Sequence, residues 1–312
     1  MGTLPRLVRT MGFLVLACCS GVDVARSRDV APVRPAPLVA TSSSEVRALA
    51  WVRDPEGQPT TYHLDASGKV VARTRGVLLA STRGPYTWQT QKIPVLTAAC
   101  PVLDEEGRET GREERQEGHA TSASLVRSGG GETQTILDGD DEGPDQDPGS
   151  PLREFTHDVT LVAQVGPYLF LHMDRSMFPC AAPHGGTSSE SLVWNIETGK
   201  RADLTGSLGG IAEAHARAVS TLAAKDELGL LGPRSVKLTE LLPSFEAGQL
   251  RMGAQLTGPA CFVCSDGRWS SYTRSTVEPI AMPGELLAQA SEPVALFSRA
   301  HPELPLRGFG SL

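Results

Sequence analysis

The chain of 312 residues lacks a hydrophobic run long enough to cross a membrane as a helix. Its N-terminal apolar run, Met11 to Ala17, would span only ~10 Å as a helix, whereas a crossing helix needs ~20 residues. Catalytic signatures are missing as well. No G-x-S-x-G elbow occurs, since "GGTSSES" fails at its last glycine, and no S-x-x-K, H-E-x-x-H or P-loop is found. No basic stripe or nucleic-acid motif is present, so a nucleic-acid partner is excluded. These absences leave no residue assigned to catalysis and no cofactor, and they turn attention to where the protein resides.

The start, "MGTLPRLVRTMGFLVLACCSG", has the three parts of an export signal: Arg6 and Arg9, then the short apolar run, then small residues. The run ends Val15-Leu16-Ala17-Cys18, which resembles the lipobox of bacterial lipoproteins, with Cys18 as the lipidated residue and 1–17 as the signal peptide. Several acyl chains on one cysteine anchor stably where a single chain would not. An ordinary signal peptide cut nearby is the alternative. Cys19 follows Cys18 where an acidic residue would retain a lipoprotein in the inner membrane, so the expected location is the cell envelope, anchored to the outer membrane.

Residues 18–45 are then the anchor and a disordered tether: Pro32, Pro35, Pro37 and Ser42 to Ser44 interrupt a stretch without apolar periodicity. About 25 flexible residues hold a domain roughly 25–30 Å from the bilayer. Charge is unevenly spread through the remainder. Between Asp104 and Asp147 fourteen acidic residues face four arginines, a local charge of −10 against −7 for the whole chain, so the rest carries +3. Self-repulsion and scarce apolar surface mark 104–150 as an acidic, disordered insertion in a β-rich region at 46–150.

Short strands punctuated by turns dominate the pattern. "TTYHL" and "VVART" flank the hairpin-type loop "DASGK", and Trp88 and Ile93 read as inward-facing residues. Gly166-Pro167 joins two β-rich runs, "HDVTLVAQV" and "YLFLHMD". "ESLVWNI" leads into the turn "ETGK". One helix stands out, with Ile211, Ala214, Ala218 and Leu222 on one face. "LRMGAQL" and "SSYTRSTVEPI" read as strands, and "PGELLAQA" as a short helix. Antiparallel sheets with a few helices and no regular strand–helix alternation indicate an α+β fold, with 151–312 as an α+β C-terminal domain.

Four cysteines remain for an oxidising compartment: Cys100, Cys180, Cys261 and Cys264. An even number favours two disulfides, with three connectivities open; one of them closes Cys261 on Cys264 and leaves Cys100 with Cys180. The competing arrangement is zinc bound by Cys180, His184, Cys261 and Cys264, whose spacings suit a tetrahedral ion but which strands Cys100. No metal is assigned. "CFVC" is followed by a turn and a strand rather than by the helix that a redox C-x-x-C requires. His157 and Asp158 are adjacent, so on a strand they point to opposite faces. His172, in an apolar strand, reads as a core histidine, and His215 as a surface residue of the helix. His184, in a Gly- and Ser-rich loop, is the candidate binding residue.

The run "CAAPHGGTSSESLVWNIETGKRADLTGSL" (180–208) is followed by the helix, a strand at 250–256 and a last strand and helix in "WSSYTRSTVEPIAMPGELL". This order resembles the extracellular domain of unknown function in lysozyme-sensing anti-sigma factors and beside some peptidoglycan deacetylase domains, over about 155–312. The two glycines that precede the family's loop histidine are replaced here by Cys180, Ala181 and Ala182, with Pro183 inserted. The resemblance implies an α+β, envelope-exposed domain without catalysis of its own that binds a protein or a peptidoglycan component. The expectation is therefore a non-enzymatic, lipid-anchored binding or sensing module, held to the membrane by its N-terminal lipid and contacting its partner through the His184 loop. The alternatives are a metal-binding or hydrolytic protein using His184 with Cys180, Cys261 and Cys264, and a purely structural lipoprotein.

Overall fold

The computed structural model describes residues 46–53, 57–104, 106, 108–140, 151–180, 182, 185–224, 232–246, 248–259 and 273–312. All of them belong to one compact unit, Pro37–Leu312; the expected signal, lipidated Cys18 and tether lie outside the described residues. The fold is α+β, antiparallel sheets with a few short helices.

The first half supplies β1 (Ala48–Arg53), β2 (Pro59–Leu64), β3 (Val70–Arg75), β4 (Leu78–Leu79), β5 (Tyr86–Val95), β6 (Cys100–Leu103), β7 (Glu109–Glu114), β8 (Gly118–Arg127) and β9 (Thr133–Leu137). The long strands β10 (Leu152–Val165), β11 (Tyr168–Pro179) and β12 (Gly186–Asn195) come next, then β13 (Lys200–Arg201) and helix α1 (Ile211–Ala223). β14 (Lys237–Glu246), β15 (Gln249–Pro259), β16 (Thr273–Ile280), α2 (Gly284–Leu287), α3 (Glu292–Ala300) and β17 (Leu306–Ser311) complete the chain.

One sheet runs in the order β13-β12-β11-β10-β17-β1-β2-β3. The last strand therefore enters the middle, antiparallel to β1 and parallel to β10. Its approach demands glycine: a β-carbon on Gly308 would fall inside the Trp51 indole. Two further sets branch from this path. β14, β15 and β16 join through the pairing of Phe245 with Leu306, and β5, β8 and β9 join through the parallel pairing of His119 with Thr156.

Described strands on either side of residue 150, β6 and β7 apart, share one sheet and one compact unit. The acidic stretch also departs from expectation. Residues 109–137 form three strands, and β8 buries Ala120, Ala123 and Leu125. Charge did not prevent folding because it sorts by strand. β7 carries Glu109, Glu113 and Glu114 and is exposed along its whole length, while β8, apart from its terminal Arg127, and β9 hold residues without acidic charge that alternate in burial. The remainder, 141–150, lies outside the described residues.

Alternation along β11, and a bulge between Leu161 and Ala163 on β10, feed two cores. Leu161, Leu171 and Met173 face Trp51, Tyr86 and Leu125. On the other side Ala163 and Phe170 join Tyr62, Phe245, Phe297 and Phe309. Each fully buried large side chain contributes roughly 1.5–3 kcal/mol. α1 buries Ala214, Ala218 and Leu222 at helical spacing, packed with Val236 and Leu256.

A disulfide joins Cys100 to Cys180 across 80 residues, with 5.3 Å between their Cα atoms. It ties the small β6–β7 hairpin, a separate two-stranded sheet, to the end of β11. Arg153 adds an ion pair to Glu114 at 3.2 Å. An isolated hairpin is marginal in water, so this attachment fixes where it stands.

Candidate functional site

The polar phase of β10, β11 and β12 comes from three alternating stretches, "THDVT", "HMDRS" and "SSES". Thr156, Asp158 and Thr160 on β10 share a face with Ser176, Asp174 and His172 on β11, and with Ser189 and Ser191 on β12. Further along, this face becomes apolar at Phe170 and Val193 and is covered by β14 with Leu241 and Phe245. Glu240 of β14 reaches back over His172 at this border. The result is a charged patch on the face shared by β10, β11 and β12.

At its centre Asp174 Oδ1 accepts two hydrogen bonds, from His172 Nε2 at 3.0 Å and from the Ser189 hydroxyl at 2.6 Å. Glu240 Oε2 lies 3.6 Å from His172 Nδ1, so the ring sits between two carboxylates. Asp158 is directly opposite Asp174 in the β10–β11 register. Two facing carboxylates repel, and the patch offsets this from the other side. Asp158 Oδ1 lies 3.1 Å from Lys92 Nζ and 3.1 Å from His119 Nε2. Lys92 Nζ is also 2.9 Å from His119 Nε2, and that nitrogen can donate to Asp158 or accept from Lys92 but not both at once. Thr156 and Ser176 bridge hydroxyl to hydroxyl at 3.0 Å.

These contacts set the protonation states. The hydrogen bond to Asp174 raises the His172 pKa above the ordinary imidazole value; burial opposes it, and the charges of Asp174 and Glu240 reinforce it. Asp174 is held below the usual carboxylate range by the same bond and by Ser189. Burial would raise Asp158, but its bonds from His119 and Lys92 bring it down. Burial raises Glu240, aided by the Asp174 charge and opposed by His172 and Arg307. A His172 ring whose protonated form is favoured by Asp174 and Glu240, facing an Asp158–Lys92 pair, is the resulting pattern.

Chemically, the patch can pair with cations and exchange hydrogen bonds. Nucleophilic catalysis needs a hydroxyl that gives its proton to a base such as histidine. Ser189 gives its proton to Asp174 instead. Among the described residues no group of three or more His, Cys, Asp or Glu side chains converges as metal ligands.

Of the residues singled out in the sequence, His184, Cys261 and Cys264 lie outside the described residues. Cys180 is bonded to Cys100, which answers the connectivity question for that pair. It also removes the first thiolate from the Cys180–His184–Cys261–Cys264 zinc set, since a disulfide sulfur is not a thiolate ligand. His157 and Asp158 do point to opposite faces, His157 wholly buried and Asp158 in the patch. His215 is half-buried, its Nε2 3.0 Å from the Val236 carbonyl oxygen. His172 departs from its reading as a core histidine. Its neighbours Leu171 and Met173 face the core, while its own side chain faces the charged side. The shared even phase of "HDVT" and "HMD" across a Gly-Pro turn was the signal for this pairing. Glu240 in "KLTELL" carried no such signal, because β14 crosses from elsewhere in the chain.

Compared with known proteins, the chain matches no protein family, no curated protein and no solved structure.

Proposed function

We propose that the chain is a non-enzymatic, lipid-anchored cell-envelope protein, and that its β-rich body binds or senses a cell-wall component or a protein partner through the charged patch on β10–β12. One observation carries the reading: the Ser189 hydroxyl donates its hydrogen bond to Asp174 rather than to His172. That bond and the His172–Asp174 pair hold charges in fixed positions on the patch, which suits recognition. The Cys100–Cys180 bond supports it further by fixing the end of β11, from which the chain enters the segment carrying His184. The export signal, the lipobox ending at Cys18 and the resemblance to envelope-sensing domains supply the location and the class of partner.

The test is a pull-down of the purified chain on cell-wall sacculi and on lysozyme, comparing wild type with His184→Ala and with Asp158→Asn/Asp174→Asn. The expected outcome is binding to one of the two baits that the double variant loses and that weakens with added salt. Binding that both variants retain would remove the patch and the loop from the reading. Absence of binding to both baits would favour a purely structural lipoprotein.

A further inference from the structure

The molecule carries a second feature, far from the charged patch in strand order, where the turn between β2 and β3 meets α3. Asp65 organises the turn: its Oδ1 accepts from the Ser67 amide at 2.8 Å, the Ser67 hydroxyl at 2.7 Å and the Lys69 amide at 3.0 Å. Gly68 adopts φ +77° and lies flat on the helix. A β-carbon there would stand 2.6 Å from the Pro293 carbonyl oxygen and 2.8 Å from Leu296 Cβ. Turn and helix are thus locked together, and they enclose an open cleft of 520 Å³ lined chiefly by Ser67, Lys69, Val70, Arg73, Leu296 and His301.

The cations around this cleft are held by aromatic packing. The Arg73 guanidinium carbon lies 5.1 Å from the Tyr62 ring centre. Tyr62 packs on Phe297 at 5.2 Å, and Phe297 on His301 at 4.8 Å. Arg73 and His301 therefore stand at the two ends of one aromatic row, which fixes the guanidinium without neutralising it. Among the described residues no carboxylate lies within 4.0 Å of the Arg73 or Lys69 charge. Two acids stand nearby. Asp65 holds its turn and feels the Lys69 charge from beyond ion-pair distance, and Glu303 Oε1 is 3.3 Å from His301 Nδ1. α3 ends at Ala300, so its C-terminal carbonyls disfavour an anion at the His301 end of the cleft, and any attraction comes from Lys69 and Arg73.

We propose that this cleft is an anion-binding site, separate from the charged patch, for an oxyanion on a short apolar body. Arg73 offers its planar fork and Lys69 a point charge to one carboxylate or phosphate. Val70, Leu296 and Ala300 supply the apolar wall against which the body of the ligand lies. A carboxylate at a peptide C-terminus and a phosphate monoester share this chemistry, and the experiment separates them.

The purified full chain is titrated, by heteronuclear NMR and calorimetry, with N-acetyl-alanyl-alanine, with its C-terminal amide, and with phenyl phosphate. Saturable binding of the free acid or the phosphate, with the amide at least tenfold weaker, is the expected result; whichever anion binds more tightly names the source. Lys69→Gln/Arg73→Gln should weaken the anion at least tenfold. Arg73→Lys, which keeps the charge but loses the fork, should fall between. Thermal unfolding of each variant shows that the fold is intact. The proposal is overturned if the amide binds as well as the acid, if the double variant binds unchanged while folded, or if none of the three compounds saturates. Binding of lysozyme or sacculi at the β10–β12 patch is read separately, so either reading can fail without the other.

Discussion

His157 and His172 sit on the same pair of strands, on opposite faces, and experience opposite environments. His157 is completely buried, and neither of its ring nitrogens has a hydrogen-bond partner among the described residues. Burial therefore pushes its pKa down, and the charges of Asp158 and Glu190 only partly oppose this. His172, on the charged face, donates to Asp174 and has its pKa raised. The His157 face is mainly packed, with one ion pair, Arg175–Glu190 at 3.5 Å, on the same side as the unsatisfied ring; the His172 face is organised by charge pairing. The binding role proposed above would use the second, because a partner can replace water there without opening the core.

The largest contrast should come from neighbouring residues on β11. Leu171 is fully buried among Leu161, Leu192 and Tyr86, whereas Asp174 is half-exposed. Leu171→Ala should cost about 2–5 kcal/mol through lost burial and the cavity left behind. Asp174→Ala should cost about 1 kcal/mol or less, because the carboxylate itself is 58% exposed. Urea unfolding of both variants measures the difference. Equal losses would mean that the charged face is as structural as the core.

How far this division was legible in the sequence depends on the range of the contact. The hairpin around Gly166-Pro167, the turn after β12 and the helix at Ile211–Ala223 are local, and their residues announced them. The opposite faces of His157 and Asp158 followed from strand periodicity alone. The placement of β17 between β1 and β10, and of Glu240 over His172, required contacts across more than sixty residues that no local pattern encodes. The acidic stretch was misread because composition averages over strands. Its charge belongs to β7 and its ends, and β8 is a plain alternating strand of Ala, Ser, Thr and Leu. The Cys100–Cys180 bond was one of three connectivities until the ends of β6 and β11 were seen side by side.

A subtler break of the comparison replaces His157 itself. Its unpartnered nitrogens carry a desolvation cost with no hydrogen bond in return, so His157→Leu should be neutral or stabilising by about 1 kcal/mol at pH 7. The gain should grow as pH falls. The folded ring resists protonation, while the unfolded ring takes a proton near 6.5, so wild type loses stability below that pH and the leucine variant escapes the part due to His157. His63, also lowered by burial, contributes the same trend in both proteins and cancels in the difference. Unfolding midpoints in urea from pH 8 to pH 5 provide the curve; a difference that shrinks with acid would contradict the assignment of His157 to a packed face.

His172→Gln should give a difference of opposite sign. The folded state holds the His172 proton above the unfolded value of 6.5, so its contribution is full below that pH and fades as pH rises through the raised folded value. The variant should therefore be most destabilised near pH 5–6, by about 1 kcal/mol, and approach wild type toward pH 8. Asp174, held below 3.8, stays ionised through this window and does not confuse the reading. Glu240, raised by burial, is the one group that would. Repeating the titration in Glu240→Gln removes it: if Asp174 is the principal partner, as its 3.0 Å bond indicates, most of the pH-dependent loss caused by His172→Gln should survive. If the loss disappears, the charge of β14 rather than the pairing within β11 governs the patch, and His172 is coupled to the strand that crosses it.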